Sequence, residues 1–221
     1  MSRRFSTERP IRLSDTDAAG RLRLDAVARY LQDVASDDWA DAGLETEDVA
    51  WVVRKTELVV ESPFGADGRV ELTTWCSGIG GAAASRRYSL RGDVGGHVQA
   101  ESVWIHLDRE LRPLRLDARF VAIFGPSADG RGVATRFTLP SPPSGDGLPW
   151  PLRRTDEDRL GHVNNAVYWV PLEERWGARA ERATLEYRRP VDVGEDARLG
   201  AADDMLWVVV GSEVRSAARV E

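Results

Sequence analysis

A chain of 221 residues, 42% of them hydrophobic, is long enough to bury a sizeable core, as one large domain or two small ones. The formal charge of -6 argues against nucleic acid as the main partner, because neutralising phosphates needs a dominant basic field. One cysteine, Cys76, excludes an intrachain disulfide and a multi-cysteine metal cluster, and three histidines (His97, His106, His162) leave few ligands, so no metal or cofactor is expected. No run reaches the roughly 18 apolar residues of a membrane span, and the opening MSRRFSTERPIRL lacks the apolar core of a secretory signal. The chain therefore reads as cytoplasmic, with no membrane partner.

In chain order, the first informative segment is SDTDAAGRL at 14–22, an acidic pair followed by a glycine and a long polar side chain. Behind it, Leu24, Val27, Ala28, Leu31, Val34 and Ala35 recur at helical spacing and predict a buried helix. Alternation and β-branched residues predict strands over 56–63, 70–78, 86–94 and 97–107, the first closed by Pro63. Residues 125–147 are rich in Gly, Pro and Ser and read as a linker between residues 1–124 and residues 148–221. Then TDEDRLGHV at 155–163 repeats the opening motif 141 residues on, Asp15 matching Asp156 and Gly20 matching Gly161. A second helix is predicted over VNNAVYWVPLEERWGARA, followed by strands over 183–190, 197–202 and 205–214. Loop, helix and antiparallel strands thus occur twice. The arginines gather in groups (Arg86 and Arg87; Arg112, Arg115 and Arg119; Arg153 and Arg154; Arg188 and Arg189), which suit either a phosphate-bearing partner or a solvated surface.

The segment DEDRLGHVNN at 156–165 resembles the DxDxNxHVNN segment of the acyl-ACP thioesterases, plant and bacterial. WVVRKTELVV (51–60), VELTTW (70–75), RRYSL (86–90), ESVWIHLDRELRPLR (101–115) and TLEYRRP (184–190) resemble further landmarks of that family in the same order. The resemblance implies an α+β chain of two tandem hotdog folds, each a long helix wrapped by an antiparallel sheet, related by a pseudo-twofold axis. It implies a thioesterase that takes fatty acyl-ACP to free fatty acid and ACP. Acyl-CoA is the alternative substrate, and a non-catalytic acyl-binding hotdog module the alternative role. The implied assembly is a monomer with pseudo-dimeric symmetry or a homodimer.

The chemistry asks for a group that activates water and for donors that stabilise the carbonyl oxygen as it turns negative. By resemblance, Asp158 and His162 carry the family's acid and imidazole, while Leu160 stands where the family has an asparagine. Asn164 and Asn165 follow, either supplying what Leu160 lacks or starting the helix, and backbone N–H groups at that helix start are the oxyanion donors. Asp156 and Asp158 also suit a plain turn role. Pro190 and Val191 replace the family's acidic and cysteine positions, which leaves a general-base mechanism with Asp158 first and Glu186, Glu173 or Glu174 in reserve. Arg21 replaces the histidine in the first copy. That half is expected to shape the acyl pocket with Val27, Leu31, Trp51 and Arg54, Leu160 lying at the site itself, although apolar residues at helical spacing equally describe a core. Cys76 reads as a buried hydrophobe.

Overall fold

A computed structural model describes residues 2–44, 50–143, 145 and 147–221. Among these, ten strands form one antiparallel sheet in the order β1-β3-β4-β5-β2-β7-β10-β9-β8-β6. The first half supplies β1 (Phe5–Pro10), β2 (Ala50–Ser62), β3 (Arg69–Ile79), β4 (Ala83–Gly92) and β5 (His97–Leu107). From the second come β6 (Leu148–Pro149), β7 (Arg182–Tyr187), β8 (Ala197–Ala202), β9 (Met205–Val210) and β10 (Glu213–Val220). The long strand β2 joins the halves, pairing with β5 on one side and with β7 on the other, where Lys55 faces Glu186 and Leu58 faces Ala183. The run predicted over 205–214 is two strands, turned at Gly211 with φ +58°.

Helix α1 (Leu24–Asp41) is the long helix predicted from the first repeat. Asp25 in its first turn bonds Arg29 one turn on at 2.6 Å, a pairing favourable to the helix dipole. Val27, Leu31 and Val34 form its core stripe and pack with Leu58, Leu72 and Leu185 of the sheet. Each such aliphatic side chain contributes about 1.5–3 kcal/mol on burial. The second helix is shorter than its sequence run. Pro171 has no N–H, and in a helix begun at Asn164 its ring would crowd the carbonyl four residues back. The chain instead makes a 3-10 turn over Val167–Trp169, and α3 (Val170–Trp176) starts with Pro171 in its first turn, where the missing donor costs little.

Helix α2 (Ala118–Ala128) takes in Gly125–Ala128, which the sequence assigned to the linker. Asp117 caps it by accepting from Phe120 N at 2.7 Å, and Phe120 and Phe124 join Trp39, Trp51 and Cys76 in a second apolar cluster. The chain then crosses the outer face of the sheet as a strap. Ile79 N donates to Arg131 O at 2.8 Å, Arg188 to Leu139 O at 2.6 Å, and Trp207 Nε1 to Pro140 O at 2.8 Å. No described helix is long and apolar enough to cross a membrane.

Candidate active site

The two acidic loops share a set of bonds. Asp15 accepts from Arg12 N at 3.0 Å and Asp156 from Arg153 N at 2.7 Å, both carboxylates buried. Asp17 N donates to Arg21 O at 2.8 Å, and Asp158 N to His162 O at 2.9 Å. The Oδ1 atoms of Asp17 and Asp158 accept from the N–H two residues on, at 2.9 Å from Ala19 and 2.8 Å from Leu160. These are turns that aspartate stabilises through its own backbone, and Gly20 and Gly161, at φ +77° and +79°, supply the left-handed residue each needs. The first aspartate of each pair is thus spent on the loop. The second has its Oδ2 pointing elsewhere, and here the copies diverge.

In the first copy Arg21 fills the space, bonding Asp17 Oδ2 at 2.9 Å and Glu173 Oε1 of α3 at 2.6 Å. Arg21 holds the Asp17 carboxyl below the ordinary carboxylate range, first through its backbone N–H and then, against some desolvation, through its guanidinium. Glu173 Oε2 accepts the N–H of Leu24 at 3.0 Å, so an anionic oxygen sits on the first backbone N–H of α1. That site is filled by protein and electrically closed.

In the second copy, among the described residues, no arginine bonds Asp158. Asp158 Oδ2 accepts from Asn164 Nδ2 at 3.1 Å, and Asn164 Oδ1 accepts from Ala166 N at 2.9 Å and from Gln32 Nε2 of α1 at 3.2 Å. Asn164 therefore both begins the turn and donates to the Asp158 carboxylate. Asn165, the counterpart of Leu24, has its carbonyl pinned by Tyr187 Oη at 3.1 Å, and that hydroxyl accepts from Trp169 Nε1 at 2.9 Å. Burial pushes the Tyr187 phenol far up, so it stays a neutral donor. The Asn165 N–H has no hydrogen-bond partner among the described residues.

A cavity of about 1080 Å³ opens at this point. Asp158, Leu160, Asn164 and Asn165 line one part, Gln32, Ser36 and Trp39 of α1 another, and Trp51, Cys76, Trp104 and Phe120 an apolar part, beside Ser85 and Arg86. Leu160 is 56% exposed, on a loop whose neighbour Arg159 also lines the cavity. Cys76 is buried, which pushes its thiol up and makes it a poor nucleophile.

Several expected site residues lie elsewhere. Val27 and Leu31, 2% and 3% exposed, belong to the core stripe of α1, about one helical residue round from the stripe that meets the cavity. Arg54 stacks on Phe137 of the strap, its guanidinium 3.7 Å from the ring centroid. Glu186 is fully buried beneath the strap and accepts from Thr138 N at 2.6 Å and Leu139 N at 3.2 Å, so it is no reserve base. Glu173 belongs to the closed first site. His162 does not line the cavity; its Nδ1 lies 2.5 Å from Asp192 Oδ1 and its side chain is 38% exposed. Of the arginine groups, Arg86 pairs with Asp38 and lines the cavity, and Arg188 is a strap ligand. Gln32 went unnoticed in the sequence; its match to Glu173 at the repeat offset of 141 was the available signal.

Residues 2–123 match the family model for the N-terminal domain of acyl-ACP thioesterases. The uncharacterized protein Rv2001 of Mycobacterium tuberculosis H37Rv is 35% identical, with 97% of this chain and 90% of that protein covered. In fold, the chain is similar to the 12:0-ACP thioesterase of Umbellularia californica, with a TM-score of 0.79 at 20% identity over 99% of this chain and 96% of that one. It is equally similar to an acyl-ACP thioesterase of Bacteroides thetaiotaomicron, with a TM-score of 0.79 at 17% identity, covering 98% and 96%. The tandem hotdog expected from the repeat is the fold found, and the chain belongs to the acyl-ACP thioesterase family.

Proposed function

We propose that this chain hydrolyses fatty acyl-ACP, releasing the free acid and the carrier thiol, in the cavity beside Asp158. Family membership supports a hydrolase acting on thioesters; the carrier and the residue roles are our reading. The observation that carries it is the contrast between the two repeats. Where the first copy places a glutamate oxygen on the Leu24 N–H, the matching Asn165 N–H of the second has no acceptor among the described residues, and Asn165 lines the cavity. An oxyanion formed from the thioester carbonyl takes the place that the Glu173 carboxylate takes in the first copy. Removing a donor of this kind typically costs on the order of 3 kcal/mol in barrier height.

Asp158 then acts as base. It accepts a proton from water as the oxygen attacks the carbonyl carbon, and the tetrahedral oxyanion collapses with cleavage of the C–S bond. The departing thiolate recovers the proton from Asp158. Asn164 fixes the carboxylate through its 3.1 Å bond, and Leu160 at the rim leaves the amide role to Asn164. The test is thiol release by the purified protein across acyl-ACP and acyl-CoA substrates of graded length. The expected result is turnover with acyl-ACP exceeding that with the matching acyl-CoA. Preference for acyl-CoA would reassign the carrier, and no release from any thioester would overturn the hydrolase reading.

A further inference from the structure

The repeat that pairs the two loops also pairs the residues that reach each loop from the opposite half: Glu173 of α3 for the first and Gln32 of α1 for the second, 141 positions apart. Their behaviour differs. Glu173 spans Arg21 at 2.6 Å and the Leu24 N–H at 3.0 Å. Gln32 does neither, and its amide forms a reciprocal pair with the Asn164 amide, donating to Oδ1 at 3.2 Å and accepting from Nδ2 at 3.3 Å. The same Asn164 Nδ2 donates to Asp158 Oδ2 at 3.1 Å.

We propose that Gln32 is a positioning residue of the active site, holding Asn164, and through it Asp158, while its neutral amide keeps the Asn165 N–H clear for substrate. This rests on the hydrolase reading above. A carboxylate at position 32 would bring one attraction and one repulsion that an amide lacks the charge for. It would be drawn to the Asn165 N–H, as Glu173 is drawn to Leu24, and it would face Asp158 with a like charge, since among the described residues no arginine bonds Asp158 as Arg21 bonds Asp17. The amide is thus the side chain that bridges the halves without occupying the oxyanion position or facing the base with a like charge. Together with the change from Arg21 to His162, the difference between Glu173 and Gln32 accompanies the difference between a closed site and one facing a cavity.

The test compares Gln32→Ala, Gln32→Glu, Asn164→Ala and the double variant Gln32→Ala with Asn164→Ala, assayed on the best acyl-ACP. Gln32→Ala is expected to lower kcat by about 10- to 100-fold with KM near wild type, as loss of alignment does. Gln32→Glu, the isosteric change, is expected to be worse than alanine, and the double variant no slower than Asn164→Ala alone. A merely structural glutamine predicts the reverse order, with glutamate milder than alanine, accompanied by a fall in Tm. Glutamate at or near wild-type turnover, or fully additive losses in the double variant, overturns the inference while wild-type turnover still supports the hydrolase reading. Wild-type protein that releases no thiol overturns both.

Discussion

Asp158→Asn is expected to lower kcat by about 10²- to 10⁴-fold, the usual contribution of a positioned base, with KM little changed. The asparagine keeps the size of the side chain and the carbonyl oxygen that accepts the Leu160 N–H at 2.8 Å, so the loop stays formed. What it loses is the second anionic oxygen, the one that Asn164 holds at 3.1 Å, and with it the ability to take a proton from water. The equivalent change at Asp17 provides the control. Asp17→Asn disturbs an ion pair with Arg21 in the closed first site and is expected to leave turnover largely intact. A single-turnover assay separates chemistry from product release. If Asp158→Asn turns over at the wild-type rate while Asp17→Asn does not, the catalytic half has been assigned to the wrong repeat.

The loops were legible in the sequence because their bonds are local. Asp158 binds the N–H of Leu160 two residues on, and Gly161 supplies the left-handed turn, so residue type and spacing suffice to find them. The strands showed in their alternation and the core stripe of α1 in its helical spacing. Contacts that decide the site are distant in the chain. Gln32 meets Asn164 across 132 positions, His162 swings to Asp192 across 30, and Glu186 is covered by a strap residue 48 away. Val27 and Leu31 illustrate the same limit within one helix. Their apolar spacing identifies a buried face, but only packing shows that the cavity meets the neighbouring stripe, with Gln32, Ser36 and Trp39. Pro171 shows a local signal that outweighs periodicity, since one missing N–H shortens the second helix whatever the pattern around it.

Glu186→Ala is expected to destabilise the fold by about 3–5 kcal/mol, the cost of removing one partner from a buried charged cluster. The carboxylate has no exposed surface and accepts from Thr138 N at 2.6 Å, Thr138 Oγ1 at 3.0 Å and Leu139 N at 3.2 Å, with Arg188 Nη2 at 3.4 Å. Truncation leaves the Thr138 and Leu139 N–H groups without this acceptor, the second of them on a buried residue, while Arg188 keeps Leu139 O at 2.6 Å. It also frees the strap at the seam where β7 joins β2, opposite Lys55. For a chain of this length a loss of that size lowers Tm by roughly 10 °C, at about 2–4 °C per kcal/mol. Glu186→Gln keeps the volume and one acceptor oxygen and is expected to lose less. Activity gives the opposite readout: below its own Tm, the alanine variant retains wild-type turnover per folded molecule, because no atom of Glu186 lines the cavity. A variant of unchanged Tm with abolished turnover would return Glu186 to the catalytic role and displace Asp158 from it.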